Sequence, residues 1–359
     1  MGTFSLFLLT VFIILLIIWI NSPGKPEPFR TQNSQILKSS LSEIINKEFN
    51  GAIQRLVIKS KDTLNPVLLV IHGGPGGYQL PFLYDQLGIS LEDKFTVCYW
   101  DQRGSGPAYT DAIPDSTITL NQIVEDGIGV SKYLIHRFNK QKIYIEGQSW
   151  GTIVGSLMAK KSPELYHAYI GIGQVSNQLQ SEILSYHYVL DEAKRRNDLR
   201  AQDELLSIGA PPYDTDEQKI NAVDIQRFHL NRYSDNFPIS RLDFMKTFLM
   251  NNEFTFQEKY RYFSGDLGYS FTLLWPTCVD INLINEVSNW QIPVFILQGE
   301  HDHNTATSLT KKYFDLIDAP AKQYYEFENS GHIVHWENPV RYRHIMTNDV
   351  LKISSEFVD

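Results

Sequence analysis

The sequence predicts an α/β fold: a mostly parallel sheet with helices on both faces, an inserted helical lid and a transmembrane helix at the N-terminus. Seven short apolar segments, at 53–58, 67–71, 95–100, 142–146, 168–171, 294–297 and 323–327, read as buried strands, each followed by a loop rich in Gly, Asp or His. Helix-like stretches such as 123–138 and 150–161 lie between several of them, and strands alternating with helices imply parallel pairing with covered faces. From 177 to 289 the pattern changes to polar-faced helical stretches, among them 179–197, 215–233 and 241–252, and the strand pattern resumes at Pro293. The insertion therefore interrupts one domain. The expected division is 1–20 anchor, 21–50 linker and entry segment, 51–176 first part of the core, 177–289 lid and 290–359 second part of the core.

Residues 4–20 are uncharged and almost wholly apolar. A helix of that length spans roughly 25 Å, close to the hydrocarbon thickness of a bilayer. A cleaved signal peptide is the rival, but the stretch has no Lys/Arg region before it and no small-x-small cleavage site at Trp19-Ile20-Asn21-Ser22-Pro23. An uncleaved single-pass anchor is expected. Lys25, Arg30 and Lys38 follow the helix, which by the positive-inside rule places the catalytic domain in the cytoplasm. The prolines, Ser, Gly and Lys of residues 21–35 suit an extended linker.

A chain that is 43% hydrophobic and 20% charged has the material for a packed core and is not disordered. Lys+Arg 32 against Asp+Glu 41 gives a net charge of −9 with no basic cluster, so nucleic acid is excluded as a partner. Cys98 and Cys278 are too few for a disulfide framework or a metal site and read as two buried free thiols, a bridge between them being the alternative. No metal or cofactor is expected.

The chemistry begins at Gly147-Gln148-Ser149-Trp150-Gly151, between a strand and a helix. The turn is too tight for side chains at the flanking positions, and it lifts the Ser149 hydroxyl to a helix N-terminus, where unpaired N–H groups favour negative charge. Alone, the pattern is as often a plain Ser/Gly turn. A second element is His72-Gly73-Gly74-Pro75-Gly76-Gly77 after the 67–71 strand, a loop whose backbone can approach a ligand closely. The N–H of Trp150 with that of Gly74, or of Gly73, would form an oxyanion hole, each donor contributing on the order of 3 kcal/mol. The loop lacks the Lys-Ser/Thr and the glycine spacing of a phosphate site.

A serine hydroxyl needs a base, and the base an orienting carboxylate. Asp302 follows the 294–297 strand after a Gly turn, and His332 follows Ser330-Gly331 beyond the 323–327 strand. Glu300, His301, His303 and His335 stand nearby as rivals. The order Ser149, Asp302, His332 favours these three; His72 is read as shaping its loop.

These motifs, with Trp100-Asp101-Gln102-Arg103-Gly104-Ser105-Gly106 and Gly299-Glu300-His301-Asp302, resemble the prolyl aminopeptidase (proline iminopeptidase) branch of the α/β-hydrolases, peptidase family S33. The resemblance implies the α/β-hydrolase fold, a Ser-His-Asp mechanism through an acyl-enzyme, and a structural, pocket-shaping role for the 101–106 loop. It also implies release of an N-terminal residue, often proline, from short peptides admitted under the lid. Relatives hold the substrate amine with lid glutamates, one in a Trp-x-x-Trp-Glu pattern that 177–289 lacks. Glu182, Asp191, Glu192 and Asp224 are lid acids, none of them singled out. The alternative is a carboxylesterase or lipase-like enzyme with the same triad. A catalytically dead binding protein is disfavoured because all three residues are present, and dehalogenase and epoxide hydrolase relatives carry Asp where Ser149 stands.

Overall fold

The computed structural model describes residues 2–234, 238–264 and 268–357. One eight-stranded sheet runs in the order β1-β2-β4-β3-β5-β6-β7-β8. Its strands are β1 (Leu41–Phe49), β2 (Ala52–Ser60), β3 (Val67–Ile71), β4 (Thr96–Asp101), β5 (Ile143–Gln148), β6 (Tyr166–Ile172), β7 (Val294–Gly299) and β8 (Lys322–Phe327). β2 pairs antiparallel with β1 and β4, and the pairs from β4–β3 to β7–β8 are parallel.

Alternation along the strands divides the core between two faces. Leu69, Ile71, Cys98 and Trp100 pack with Ile123, Ile153 and Met158 of α3 (Leu120–Arg137) and α4 (Trp150–Lys161). Leu68, Val70, Val97 and Tyr99 face Tyr342, Ile345 and Met346 of the C-terminal helices. Cys98 and Cys278 are buried and free, as expected.

The seven expected strands form, several a residue or two longer than read. β1 was missed and takes up the end of the expected entry segment. It pairs with β2 across a turn at Asn50-Gly51 with φ of 48° and 81°, the paired positive angles that an Asn-Gly hairpin turn requires. At the sheet edge the strand is only half covered, so Glu43, Asn46, Lys47 and Glu48 blur its alternation.

α1 (Gly2–Ile20) is long and apolar enough to cross a membrane, with no residue of Thr3–Ile20 buried. The short α2 (Pro81–Gln86) follows the glycine-rich loop. Between β6 and β7 come α5 (Gln178–Arg195), α6 (Leu199–Ile208), α7 (Asp216–Tyr233), α8 (Arg241–Met250), α9 (Phe256–Ser264), α10 (Tyr269–Cys278) and α11 (Leu283–Glu286). α7 opens with a capping box, in which the Thr215 side chain accepts from the Gln218 N–H while the Gln218 side chain accepts from the Thr215 N–H. α5–α7 share a small core including Val189, Ala193, Leu205 and Leu230, and Phe248 and Phe254 pack on Phe82 of α2.

Candidate active site

Adjacent parallel strands end at one edge of the sheet, the place where open α/β sheets bind ligands. His72 follows β3, Ser149 follows β5, Gly173 follows β6, Asp302 lies three residues past β7, and His332 five past β8. Ser149 sits at φ 52°, ψ −118°, a conformation costing on the order of 1–3 kcal/mol. The residues two before and two after it must be glycine: a Cβ on Gly147 would lie 2.4 Å from the Gly151 carbonyl oxygen, and one on Gly151 would lie 2.2 Å from that of Ile71.

The predicted triad residues are brought together. The Ser149 hydroxyl donates to His332 Nε2 at 2.9 Å, and His332 Nδ1–H donates to Asp302 Oδ2 at 2.8 Å. The tautomer follows from that chain of donors. Asp302 is buried and heavily bonded. Its Oδ1 accepts from the Asn304 and Thr305 N–H groups at 2.8 and 2.9 Å, and its Oδ2 accepts from the Thr305 hydroxyl at 2.7 Å and Gln298 Nε2 at 2.8 Å. Burial alone would push this carboxyl up, but the charge of His332 and the hydrogen bonds from His332 and Thr305 outweigh it, and the net shift is downward.

The rivals are occupied elsewhere. Glu300 is exposed and accepts from the Asn329 N–H, His301 lies 3.7 Å from Glu300, and His303 stacks on Tyr188 with ring centroids 3.5 Å apart. His335 lies in the cavity wall, 3% exposed, packed against Tyr84 and Tyr342; burial holds it neutral, its pKa lowered to about 3.

The N–H groups of Gly73, Gly74 and Trp150 make no hydrogen bond to another described residue. Gly73 packs directly on the nucleophile: a Cβ there would lie 3.3 Å from Ser149 Cβ. His72 holds this loop in shape, Nδ1–H donating to the Gly73 carbonyl at 2.8 Å and Nε2 accepting from the Gln102 N–H at 3.2 Å. That tautomer is neutral, in keeping with a pKa lowered by burial to about 4. Gln102 in turn accepts from Trp150 Nε1 at 3.0 Å, and Arg103 is bound to Asp126 at 2.7 Å. The 101–106 loop braces the site.

Sequence reading missed several supporting residues. Gln298 and Thr305 fix Asp302, and Gly173, at φ 57°, lets the chain pass close to the imidazole, since a Cβ there would lie 2.8 Å from His332 Cε1. The signal for Gly173 was present as a glycine directly after the sixth strand. Nothing local marks Gln298 or Thr305.

A cavity of about 510 Å³ lies against Ser149 and His332. Val223, Asp224 and Arg227 of α7 and Phe271 and Trp275 of α10 close it from the inserted helices. Arg227 is paired to Glu182, which also accepts from Gln178 and Gln226. Asp191 and Glu192 are absent from the cavity wall, and Glu192 is paired with Arg195 and Arg196. Asp224 is exposed and has no hydrogen bond or ion pair among the described residues, and its partial desolvation raises its pKa.

A family model described as the alpha/beta hydrolase fold matches residues 66–339. The chain belongs to the α/β-hydrolase family. This hydrolase is 31% identical over 309 residues to the Bacillus subtilis (strain 168) protein named probable aminopeptidase YbaC, a match covering 84% of this chain and 94% of that one. The hydrolase also shares its fold with a proline iminopeptidase-related protein of Thermus thermophilus (TM-score 0.61, 18% identity, 89% of this chain and 100% of that one). A proline iminopeptidase of Mycobacterium smegmatis is similar in fold (TM-score 0.59, 17% identity, 88% and 100%). The motif resemblance to prolyl aminopeptidases agrees with these relatives.

Beneath Ser149, Glu146 is fully buried and accepts from Tyr342 Oη at 2.7 Å and Gln148 Nε2 at 2.8 Å. Burial raises its pKa to about 7 despite those bonds. The folded hydrolase then keeps a proton that the unfolded chain releases near pH 4.5, so this group's stabilisation is present below that pH and is lost as pH rises through about 7. Glu146→Gln removes the titration. The variant's Tm relative to the parent is expected to rise between pH 5 and pH 8; a difference that stays constant over that range contradicts the assignment.

Proposed function

We propose that this hydrolase is a serine aminopeptidase acting through an acyl-enzyme on short peptides with a free N-terminal amine, proline-type residues being the preferred acyl group. Ser149 Oγ attacks the scissile carbonyl carbon as its proton passes to His332 Nε2, while Asp302 steadies the resulting imidazolium. The N–H of Trp150 and that of Gly74 or Gly73, the latter packed on Ser149, receive the oxyanion. His332 returns the proton to the departing amine, and water, deprotonated by the same imidazole, releases the amino acid and restores Ser149.

The observation that carries the peptidase reading is Asp224. Among the described residues lining the cavity it is the one carboxylate, and the one cationic side chain among them, Arg227, is already matched by Glu182. An ammonium held in this cavity gives up part of its hydration, and a facing carboxylate offsets that loss. Asp224→Asn is expected to raise KM for prolyl arylamide roughly tenfold or more with a smaller change in kcat, as loss of a binding contact does. An unchanged KM removes Asp224 from the site.

The alternative, a carboxylesterase or lipase-like hydrolase with the same triad, is favoured by the apolar part of the wall at Val175, Val223, Phe271 and Trp275. Thr3–Ile20 is proposed to act as a single-pass anchor, with the catalytic domain on the side where Lys25, Arg30 and Lys38 lie. The full chain is then expected to sediment with membranes and resist an alkaline wash.

A further inference from the structure

The chain leaving α1 does not run free as a linker. Asn21, the first residue after the helix, accepts at its carbonyl a hydrogen bond from Lys259 Nζ of α9 at 2.7 Å. Pro23 forms a bridge with Thr255 at the start of α9, and the Lys25 N–H donates to the Asn252 carbonyl at 2.8 Å. Asn252 Nδ2 donates to Glu27 at 2.6 Å, and Gly24 passes so close that a Cβ there would lie 2.7 Å from Thr255 Cγ2. Lys259 is itself buried, 2% exposed, and also donates to the Leu249 carbonyl at 2.8 Å. The end of the apolar helix is thus clamped, with no slack, to the α8–α9 part of the insertion.

That part of the insertion presents apolar side chains to the outside. Phe256, Tyr260 and Phe263 stand at i, i+4 and i+7 of α9, one helical stripe, and all three are exposed, Tyr260 to 67%. Leu242 and Met250 of α8 are exposed as well, and Trp19 is exposed in the last turn of α1. The exposed charges nearby are of both signs, Lys25, Arg241 and Lys246 with Glu27 and Asp243, so the surface carries no strong pull on anionic headgroups. Aromatic rings at the end of a membrane span suit the bilayer interface, where an apolar body with a polar tip is at home.

Resting on the reading of α1 as an anchor, we infer that the exposed α8–α9 face is a second membrane contact, lying in the interfacial layer of the bilayer that α1 crosses. The clamp at Asn21, Pro23 and Lys25 holds this face at the level where the span ends. The docked helix also backs onto the site: Tyr262, on α9, meets Tyr78 of the cavity wall edge to face, ring centroids 5.9 Å apart. The hydrolase therefore receives its substrates with this wall of the insertion resting on the membrane.

The test uses the full chain in phosphatidylcholine vesicles, with one nitroxide label at a time on Phe256→Cys, Tyr260→Cys, Trp19→Cys or Leu64→Cys; the native cysteines are buried. Leu64 lies before β3, at the sheet edge opposite the site, and is 81% exposed. Labels at 256 and 260 are expected to collide with lipid-soluble oxygen several-fold more, relative to a water-soluble nickel chelate, than the label at 64, approaching the label at 19. A lipid-like label at 19 with labels at 256 and 260 matching the one at 64 overturns the docking while leaving the anchor in place. If the label at 19 also behaves as aqueous, the anchor reading fails and the docking with it.

Discussion

Ser149→Ala is expected to lower kcat/KM by about 10⁴- to 10⁶-fold and to abolish labelling by a fluorophosphonate, with the Tm little changed. The hydroxyl's polar contact in the site is to His332 Nε2 at 2.9 Å, so its loss removes the nucleophile and leaves the scaffold intact. The strained turn is imposed by backbone packing of Gly147 and Gly151 against the Gly151 and Ile71 carbonyls, which alanine at 149 does not touch. The activity is measured on an arylamide and the labelling on purified protein. Labelling of the variant at the parent's rate would sink the assignment of Ser149.

Asp302→Asn is expected to lower kcat by about 10⁴-fold. Four donors besides His332 converge on this carboxylate, from Asn304, Thr305 twice and Gln298. An asparagine must set its NH₂ either against those donors or against His332 Nδ1–H. The second choice favours the other imidazole tautomer, which puts a proton on Nε2 and removes the base facing Ser149. Single-turnover kinetics on the purified variant reads the loss; a variant within tenfold of the parent would show that Asp302 does not orient the imidazole.

The sheet and the order of the three reacting groups were legible because each is written locally. Buried strands such as Val67–Ile71 are continuous apolar runs, and Ser149, Asp302 and His332 each follow one across a short loop containing glycine. β1 was not legible from alternation, since an edge strand need not hide both faces, although Asn50-Gly51 announced the hairpin. The inserted helices were visible as helical stretches, but which acid enters the cavity depends on how α7 packs over the site. Asp224 and Glu192 look alike in sequence, and only tertiary packing separates the unpaired cavity carboxylate from the one held by Arg195 and Arg196. The attachment of residues 21–27 to α8–α9 was equally hidden, because a Pro-rich stretch reads as a linker whether or not a partner surface lies beside it.

The reading of this hydrolase as an aminopeptidase is tested most directly by comparing kcat/KM of the full-length protein for prolyl arylamide, its N-acetylated form and aryl esters of increasing chain length. A free ammonium bound by Asp224, itself an exposed carboxylate, predicts cleavage of prolyl arylamide roughly tenfold better than the acetylated form, a contact of about 1.4 kcal/mol. Equal cleavage of the free and acetylated arylamides, or activity confined to the esters, would contradict it and make the esterase reading the better one.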